Sequence, residues 1–262
     1  MLLSGLTVTL AANAGVLLDF HGTKFLVDSV FHDDRFHFSS PSPEVWRQML
    51  EGGGVFEGAD HVLVTHAHAD HFSPKRMRRY LEARPVKYLV LPAAKTPAER
   101  ELARYMEQKG IPFPPLEPGR TFQRRLGTVC VSAFPTRHLD RQFWDVPHFC
   151  YLLSSEGEHV LITADADYTA EDFSCLRGVP LRAVLLNPLF FRALRSGRHF
   201  HGKLTAGCFC VYHIPFSGGG YGELRSMAER DAARWPEREG RAVLLREELQ
   251  TVEIPKRDLG RP

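Results

Sequence analysis

The segment Thr65–His71, with the sequence THAHADH, brings four potential metal ligands close together. Because side chains alternate between the two faces of a strand, His66 and His68 leave the end of one predicted strand on the same side and can share a metal ion. Asp70 and His71 lie on the following loop, where they can face a second position. Two cations about 3.5–4 Å apart, with a water or hydroxide between them, form a recurring hydrolytic arrangement. The spacing therefore predicts a dinuclear metal site.

Further ligands for such a site are available where other predicted strands end. His138, Asp165 and His213 each follow a predicted strand, and side chains at strand ends meet at one edge of a sheet. A carboxylate can bridge two cations with its two oxygens, which is the role predicted for Asp165. Imidazole and carboxylate ligands suit zinc, with manganese or iron as alternatives. The sequence therefore predicts two divalent metal ions as cofactors.

Some of these ligands have alternatives. His148 lies ten residues after His138 and precedes a predicted strand. We favour His138 as the ligand because it repeats the strand-end position, and His148 then either contacts substrate or caps its strand. Asp167 is the alternative to Asp165, and strand geometry favours Asp165. For His213, the alternative is a histidine of the protein core.

These residues together resemble the metallo-β-lactamase fold hydrolases, over roughly residues 7–215. The likeness is carried by HAHADH at 66–71, PTRH ending at His138, ITAD ending at Asp165, His213, and NAGV at 13–16 followed by FLVD at 25–28. Two positions depart from the family pattern. Ala164 stands where the family usually has glycine before the bridging aspartate, and Arg137 stands where glycine often precedes the third histidine.

The resemblance implies an α/β fold, a four-layer αββα sandwich of the metallo-β-lactamase type with the metals at one edge. It implies a first metal position held by His66, His68 and His138. It implies a second position held by Asp70, His71 and His213, with Asp165 bridging the two.

Residues around the predicted metals are expected to orient ligands and bind substrate. Asp28, at the end of a predicted strand, is expected to accept a hydrogen bond from the second ring nitrogen of a ligand histidine, as such sites usually require; the alternative is a turn aspartate. Arg195 and Arg198 belong to a segment over 192–203 that is predicted as a loop. This loop either closes over the site and holds a phosphate or carboxylate, which arginine forks match, or is a mobile surface loop.

Alternating strand and helix patterns in both halves predict two packed sheets with helices outside. Strands are predicted over 7–10, 16–20, 24–27, 62–64, 88–91, 128–134, 149–153, 160–163, 183–186, 208–212 and 242–245, and helices over 44–51, from Pro74, over 97–109 and over 221–235. The Pro-rich stretch Ile111–Pro118 is predicted to cross over within one domain, so that residues 1–262 form a single hydrolase domain.

Composition sets the class of protein and its compartment. The chain has 262 residues, of which 44% are hydrophobic and 24% charged, as in ordinary soluble proteins. Residues Met1–Leu18 lack the basic start of a signal peptide, and no run of 18 apolar residues occurs, so neither export nor a membrane partner is predicted. Five cysteines without a CxxC motif indicate reduced thiols and a cytoplasmic protein.

The predicted chemistry is hydrolysis by a hydroxide held between the two cations, with Asp70 orienting it or taking up its proton. The expected partner is a small anionic ester, lactone or phosphodiester. A nuclease acting on RNA or DNA is an alternative, but the net charge of +2 does not favour a nucleic acid partner. An iron-dependent thiol oxygenase is a second alternative. The complete ligand set disfavours a non-catalytic binding module, and the sequence leaves open whether the chain forms a homo-oligomer.

Overall fold

Two mixed β-sheets occupy the centre of the molecule. The computed structural model describes residues 5–32, 38–169, 171–197, 204–216 and 221–256. Within these ranges the chain forms two sheets of seven strands each, flanked by helices. This arrangement confirms the predicted α/β sandwich.

The first sheet combines an antiparallel half with a parallel half. Its strands are β1 (Leu6–Leu10), β2 (Val16–Phe20), β3 (Thr23–Val27), β4 (His61–Leu63), β5 (Tyr88–Pro92), β6 (Pro115–Leu116) and, from the far end of the chain, β14 (Thr251–Ile254). Their order is β14-β1-β2-β3-β4-β5-β6. Strands β3 to β6 pair in parallel, so their carboxyl ends meet at one edge.

The second sheet has the same division. Its strands are β7 (Phe122–Leu126), β8 (Val129–Thr136), β9 (His148–Ser155), β10 (Glu158–Ile162), β11 (Leu181–Leu186), β12 (Ala206–Val211) and β13 (Arg241–Leu244). Their order is β13-β12-β11-β10-β9-β8-β7. Strands β10 to β13 are parallel, and β7 to β10 form an antiparallel meander.

The inner faces of the sheets form an apolar core that joins the two halves of the chain. Leu18 and Phe25 of the first sheet belong to one buried cluster with Tyr151 and Ile162 of the second. Burying apolar side chains of this size contributes about 1.5–3 kcal/mol each to folding. The core therefore holds the two sheets together and keeps their edges in register.

Helices cover both outer faces. Three lie on the first sheet, namely α1 (Pro43–Glu51), α2 (Pro74–Ala83) and α3 (Pro97–Lys109), and two lie on the second, namely α4 (Pro188–Ser196) and α5 (Gly222–Ala233). The first four begin with the same device, an N-cap side chain followed by proline; the caps are Ser42, Ser73, Thr96 and Asn187. Among the described residues, no helix is both long and apolar enough to cross a bilayer.

Among the elements that differ from the sequence prediction are the helix α4 and the strands β7 and β14. Residues 192–196, predicted as part of a loop, belong to α4. The side chains of Phe190 and Phe191, near the start of this helix, are buried. The strand β7 is absent from the prediction because its three central residues are exposed and polar. The strand β14 is absent because its partner β1 lies at the other end of the chain. Nonlocal pairing of this kind leaves little trace in a short sequence window.

Candidate metal centre

The seven predicted ligands meet at the edge where the parallel strands end. They are His66, His68, Asp70, His71, His138, Asp165 and His213, all buried except for the half-buried His68. An isolated bridge between His138 and Ala166 brings the segment after β8 against the segment after β10, and Leu139 N–H donates to the carbonyl of Asp165 at 2.8 Å. The backbone thus sets His138 beside Asp165.

Two groups of side chains can be distinguished. In the first group, the ligand atoms of His66, His68 and His138 all lie within 4.8 Å of one another, and His66 Nε2 is 3.0 Å from His68 Nδ1. In the second group, His213 Nε2 lies 3.3 Å from His71 Nε2 and 3.3 Å from Asp70 Oδ2. Spacings of this size suit three donors around one cation, because zinc binds imidazole nitrogen at about 2.0–2.1 Å.

Asp165 lies between the two groups. Its Oδ2 is 3.2 Å from His71 Nε2 and 3.5 Å from His213 Nε2 in the second group. The same oxygen is 3.8 Å from His138 Nε2 and 4.0 Å from His66 Nε2 in the first group. One carboxylate oxygen therefore faces donors of both groups, as a bridging ligand would.

The two groups differ in protonation. Burial among other histidines holds the pKa of His66 well below 6.5, and burial together with His138 lowers the pKa of His68 to about 4. In the second group burial is outweighed by nearby carboxylates, so the pKa of His71 lies well above 6.5 and that of His213 rises to about 9. Without a cation, His71 and His213 hold protons, whereas His66 and His68 stay neutral. A cation entering the second group must release those protons.

Asp28 orients histidines of both groups. Its Oδ2 lies 2.9 Å from His71 Nδ1 and accepts a hydrogen bond from Thr65 Oγ1 at 2.6 Å, while its Oδ1 accepts from Thr65 N–H at 2.8 Å. Since the Thr65 hydroxyl donates to Asp28, it is free to accept from His66 Nδ1 at 3.0 Å. Both histidines then carry a proton on Nδ1 and turn Nε2 toward the cluster.

Nδ1 of His138 accepts a hydrogen bond, whereas Nδ1 of His66 and of His71 donates one. The backbone N–H of Asp140 donates to His138 Nδ1 at 3.0 Å, which favours a proton on Nε2. No hydrogen-bond partner of His138 Nε2 is found among the described residues, although this atom is buried. Binding a cation through Nε2 therefore requires the Asp140 contact to open.

Three non-glycine residues of the cluster have left-handed backbone conformations. The φ angles are 48° at Asp28, 45° at Ala164 and 59° at His213. Such residues cost about 1–3 kcal/mol each and concentrate at functional sites. Ala164 thus adopts the conformation that glycine favours, although it departs from the family pattern. Gly15 allows a close approach nearby, since a Cβ there would lie 2.7 Å from Ser29 Cα.

His148 and Asp167, the sequence alternatives, have other contacts. The His148 ring is buried 4.9 Å from the His66 ring, and its Nδ1 is 2.7 Å from Thr136 Oγ1. It borders the first group without joining any set of three side chains whose ligand atoms lie within 4.8 Å of one another. Asp167 accepts hydrogen bonds from the backbone and hydroxyl of Thr169, so its carboxylate stabilises a turn.

One of the two arginines expected to bind an anion has a partner within the protein. Arg195 forms an ion pair with Asp231 of α5, with Nε 2.8 Å from Oδ1, and so ties two helices together. Arg198 lies outside the described residues, so the structure says nothing about its contacts. The anionic character of the substrate therefore stays a prediction.

Asn13 and Phe143 contact the cluster and were missed by sequence reasoning. The side chain of Asn13, which is fully buried in the β1–β2 hairpin, has Nδ2 2.8 Å from His213 Nδ1. The Phe143 ring lies 4.5 Å from the His68 ring and 5.2 Å from the His138 ring. A polar asparagine inside an apolar hairpin was a usable sign of a buried partner, whereas nothing in the sequence distinguished Phe143.

Comparison with models of protein families gives a match that covers most of the chain. A family model described as the beta-lactamase superfamily domain matches residues 23–206, well over half of the 262 residues. A search of curated proteins found no match.

Several solved structures share the fold. A metallo-hydrolase from the archaeon Ignicoccus hospitalis is 12% identical with a TM-score of 0.62, over 97% of this chain and 100% of that chain. The metallo-beta-lactamase fold protein YhfI from Bacillus subtilis is 15% identical with a TM-score of 0.58, over 95% and 99%. The diiron beta-hydroxylase CmlA from Streptomyces venezuelae is 18% identical with a TM-score of 0.57, over 95% of this chain but 53% of that chain. Identities this low carry the fold alone.

Proposed function

Because the chain belongs to the beta-lactamase superfamily and is homologous to its metallo-hydrolases, we propose that it hydrolyses a small ester, lactone or phosphodiester with the help of two divalent cations. The observation that carries this proposal is the position of Asp165 Oδ2, within 4.0 Å of histidine nitrogens from both groups. Five imidazoles and two carboxylates form a donor set that suits zinc, manganese or iron.

The ligand assignment follows the two groups. His66, His68 and His138 would hold one cation, Asp70, His71 and His213 would hold the other, and Asp165 would bind both. Bound divalent cations supply Lewis acidity, which lowers the pKa of water to about 7 and polarises the electrophilic oxygen of a substrate.

The protein side chains orient the reactants and move a proton. Asp70 is 4% exposed, and its Oδ2 is within 3.7 Å of His71 Nε2 and 3.3 Å of His213 Nε2. The pKa of its carboxyl stays below the usual value, because the charges of His71 and His213 outweigh burial. Asp70 therefore remains a carboxylate that can orient water and accept its proton. The Phe143 ring packs against the rings of His68 and His138.

The proposal is tested by metal analysis of the purified protein, followed by turnover of lactone, thioester and phosphodiester panels. We expect close to two divalent cations per chain and hydrolysis of at least one substrate class. In Asp70→Ala, kcat/KM should fall by at least about 10²-fold, the size of a general acid–base contribution. Asp145→Ala, an exposed aspartate of the loop after His138, is the control and should behave as wild type. Undiminished turnover and metal content in Asp70→Ala would contradict the assignment. Iron with oxygen uptake and no hydrolysis would favour the oxygenase instead.

Asn13 acts in this scheme as a positioning residue for His213. The assigned orientation puts Nδ2 at His213 Nδ1 and leaves Oδ1 buried without a partner in the described part of the chain. Amide nitrogen and oxygen are assigned from the hydrogen-bond network, and turning the amide by a half-turn exchanges them. Oδ1 then accepts the Nδ1 proton, and His213 Nε2 is free to bind the cation.

Replacing Asn13 by leucine, which has a similar shape, should weaken the affinity for the second cation by about 10–100-fold, the usual effect of losing an orienting contact. Asn13→Asp keeps an acceptor and should retain affinity close to wild type. The measurement is stepwise metal titration against a chelator, with the Nδ1 tautomer of His213 followed by nitrogen NMR. Equal losses in both variants would mean that Asn13 only fills space.

A further inference from the structure

A mainly apolar pocket of about 260 Å³ lies on the outer side of the first sheet, between α3 and the ends of β4 and β5. Its wall includes Phe72, Leu102, Ala103, Met106 and Phe113. Pockets that bind small molecules are typically apolar and occur at the carboxyl ends of parallel strands, which is where this one lies.

The pocket is adjacent to the metal centre. Ala67, which lines the pocket, stands between His66 and His68 in the chain. The pocket rim continues from Ala94 to Lys95, whose Nζ donates to the carbonyl of Asp145 at 2.5 Å. Asp145 belongs to the same loop as Phe143, which contacts the His68 ring. A hydrogen bond therefore connects the rim of the pocket to the loop that carries Phe143, next to the metal centre.

The wall disfavours a negatively charged occupant. No lysine, arginine or histidine is among the pocket-lining residues that the structure describes. Two carboxylates lie there instead. That of Glu99 is engaged by the backbone N–H groups of Lys95 and Thr96 at 2.7 and 3.1 Å, and Glu107 is exposed. An anionic group would meet carboxylates without a compensating cation, whereas an uncharged hydrocarbon matches the rest of the wall.

We propose that this pocket binds the uncharged apolar part of the substrate, an acyl chain or a single ring whose ester carbonyl reaches the metal centre. The inference rests on the proposed hydrolase function. Ala67 of the pocket wall is the chain neighbour of His66 and His68, so a chain bound in the pocket passes the half-buried His68 on its way from the metal centre. An octanoyl group extends six methylene groups beyond an acetyl group, so the octanoyl chain is the one that can occupy the pocket. The pocket therefore selects substrates by the length of their apolar chain.

The test compares 4-nitrophenyl acetate with 4-nitrophenyl octanoate. In wild type, kcat/KM should be at least about tenfold higher for the octanoate, the smallest discrimination that hydrocarbon contacts normally give. Ala103→Phe fills the pocket from α3 and should remove this preference while leaving acetate turnover unchanged. Ala103→Leu should have an intermediate effect, which guards against a folding defect in the larger variant. Ala98→Phe is the matched control, because Ala98 is an exposed alanine on the same helix outside the pocket wall.

A second measurement separates this inference from the proposed function. N-phenyl-1-naphthylamine, an uncharged fluorescent probe, should bind wild type and Ala98→Phe and bind Ala103→Phe at least about tenfold more weakly. Probe binding that depends on Ala103, without hydrolysis of any ester, supports the pocket and overturns the ester hydrolase. An unchanged octanoate preference or unchanged probe binding in Ala103→Phe overturns the pocket.

Discussion

Asp165→Asn is expected to lose at least one of the two cations and to lower kcat/KM by about 10²–10³-fold, since cations supply several kcal/mol of transition-state stabilisation. The structure suggests which atom changes. Asn187 Nδ2 lies 3.5 Å from Asp165 Oδ1, so it would keep the new amide oxygen on that side. The amide nitrogen would then occupy the place of Oδ2 and present a donor to both groups of histidines. Metal content by mass spectrometry and steady-state kinetics measure the two effects.

Asp167→Asn is the matched control for this variant. Asp167 is a buried carboxylate two residues away, but it accepts from Thr169 and does not face the histidines. It should keep both cations, with kcat/KM close to wild type. If Asp165→Asn also retained two cations and full activity, the bridging role would be wrong.

Asp28→Asn is expected to weaken binding of both cations, by about 10–100-fold each, because one carboxylate orients a histidine in either group. If the amide nitrogen takes the place of Oδ2, it faces the Thr65 hydroxyl and His71 Nδ1. If it takes the place of Oδ1, it faces the Thr65 N–H. Either way a buried donor loses its acceptor, at a cost of about 1–3 kcal/mol to folding. Chelator competition measures the affinities, and thermal unfolding of the metal-free protein measures the stability.

Thr65→Val separates the two paths from Asp28. It removes the hydroxyl between Asp28 and His66 and leaves the contact with His71 intact, so it should weaken the first cation and spare the second. Asp19→Asn, an aspartate on β2 whose Oδ1 accepts from Gly22 N–H, should affect neither. Loss of the second cation alone in Asp28→Asn would contradict the link through Thr65.

Local rules of sequence predicted much of the architecture. The helix α3 was predicted at its observed bounds, because Thr96 and Pro97 mark its start and Gly110 its end. Equivalent marks surround α4, with Asn187 and Pro188 before it and Gly197 after it. The loop prediction there was wrong because it weighed the arginines above these end signals. The fold class was confirmed, since strand–helix alternation is also a local property.

Local rules of sequence could not predict the contacts that orient the side chains of the metal centre. Asn13 and His213 are 200 residues apart, and their hydrogen bond exists only because β1 and β12 lie in facing sheets. Arg195 pairs with Asp231 because α4 packs on α5. The sequence around Arg195 does not show that these two helices are neighbours. Strand ends predict which residues approach one edge. They do not predict which nitrogen of each ring faces inward.

Each group of proposed ligands draws on both sheets. His66 and His68 follow β4 in the first sheet, and His138 follows β8 in the second; His71 and His213 divide in the same way. Cations bound there would cross-link the amino- and carboxyl-terminal sheets beyond their shared core. A ligand that binds the folded state alone stabilises it in proportion to the logarithm of its concentration over its dissociation constant. Metal supply would thereby govern the unfolded fraction of this protein at equilibrium, and with it the lifetime of the chain where proteolysis acts on the unfolded state.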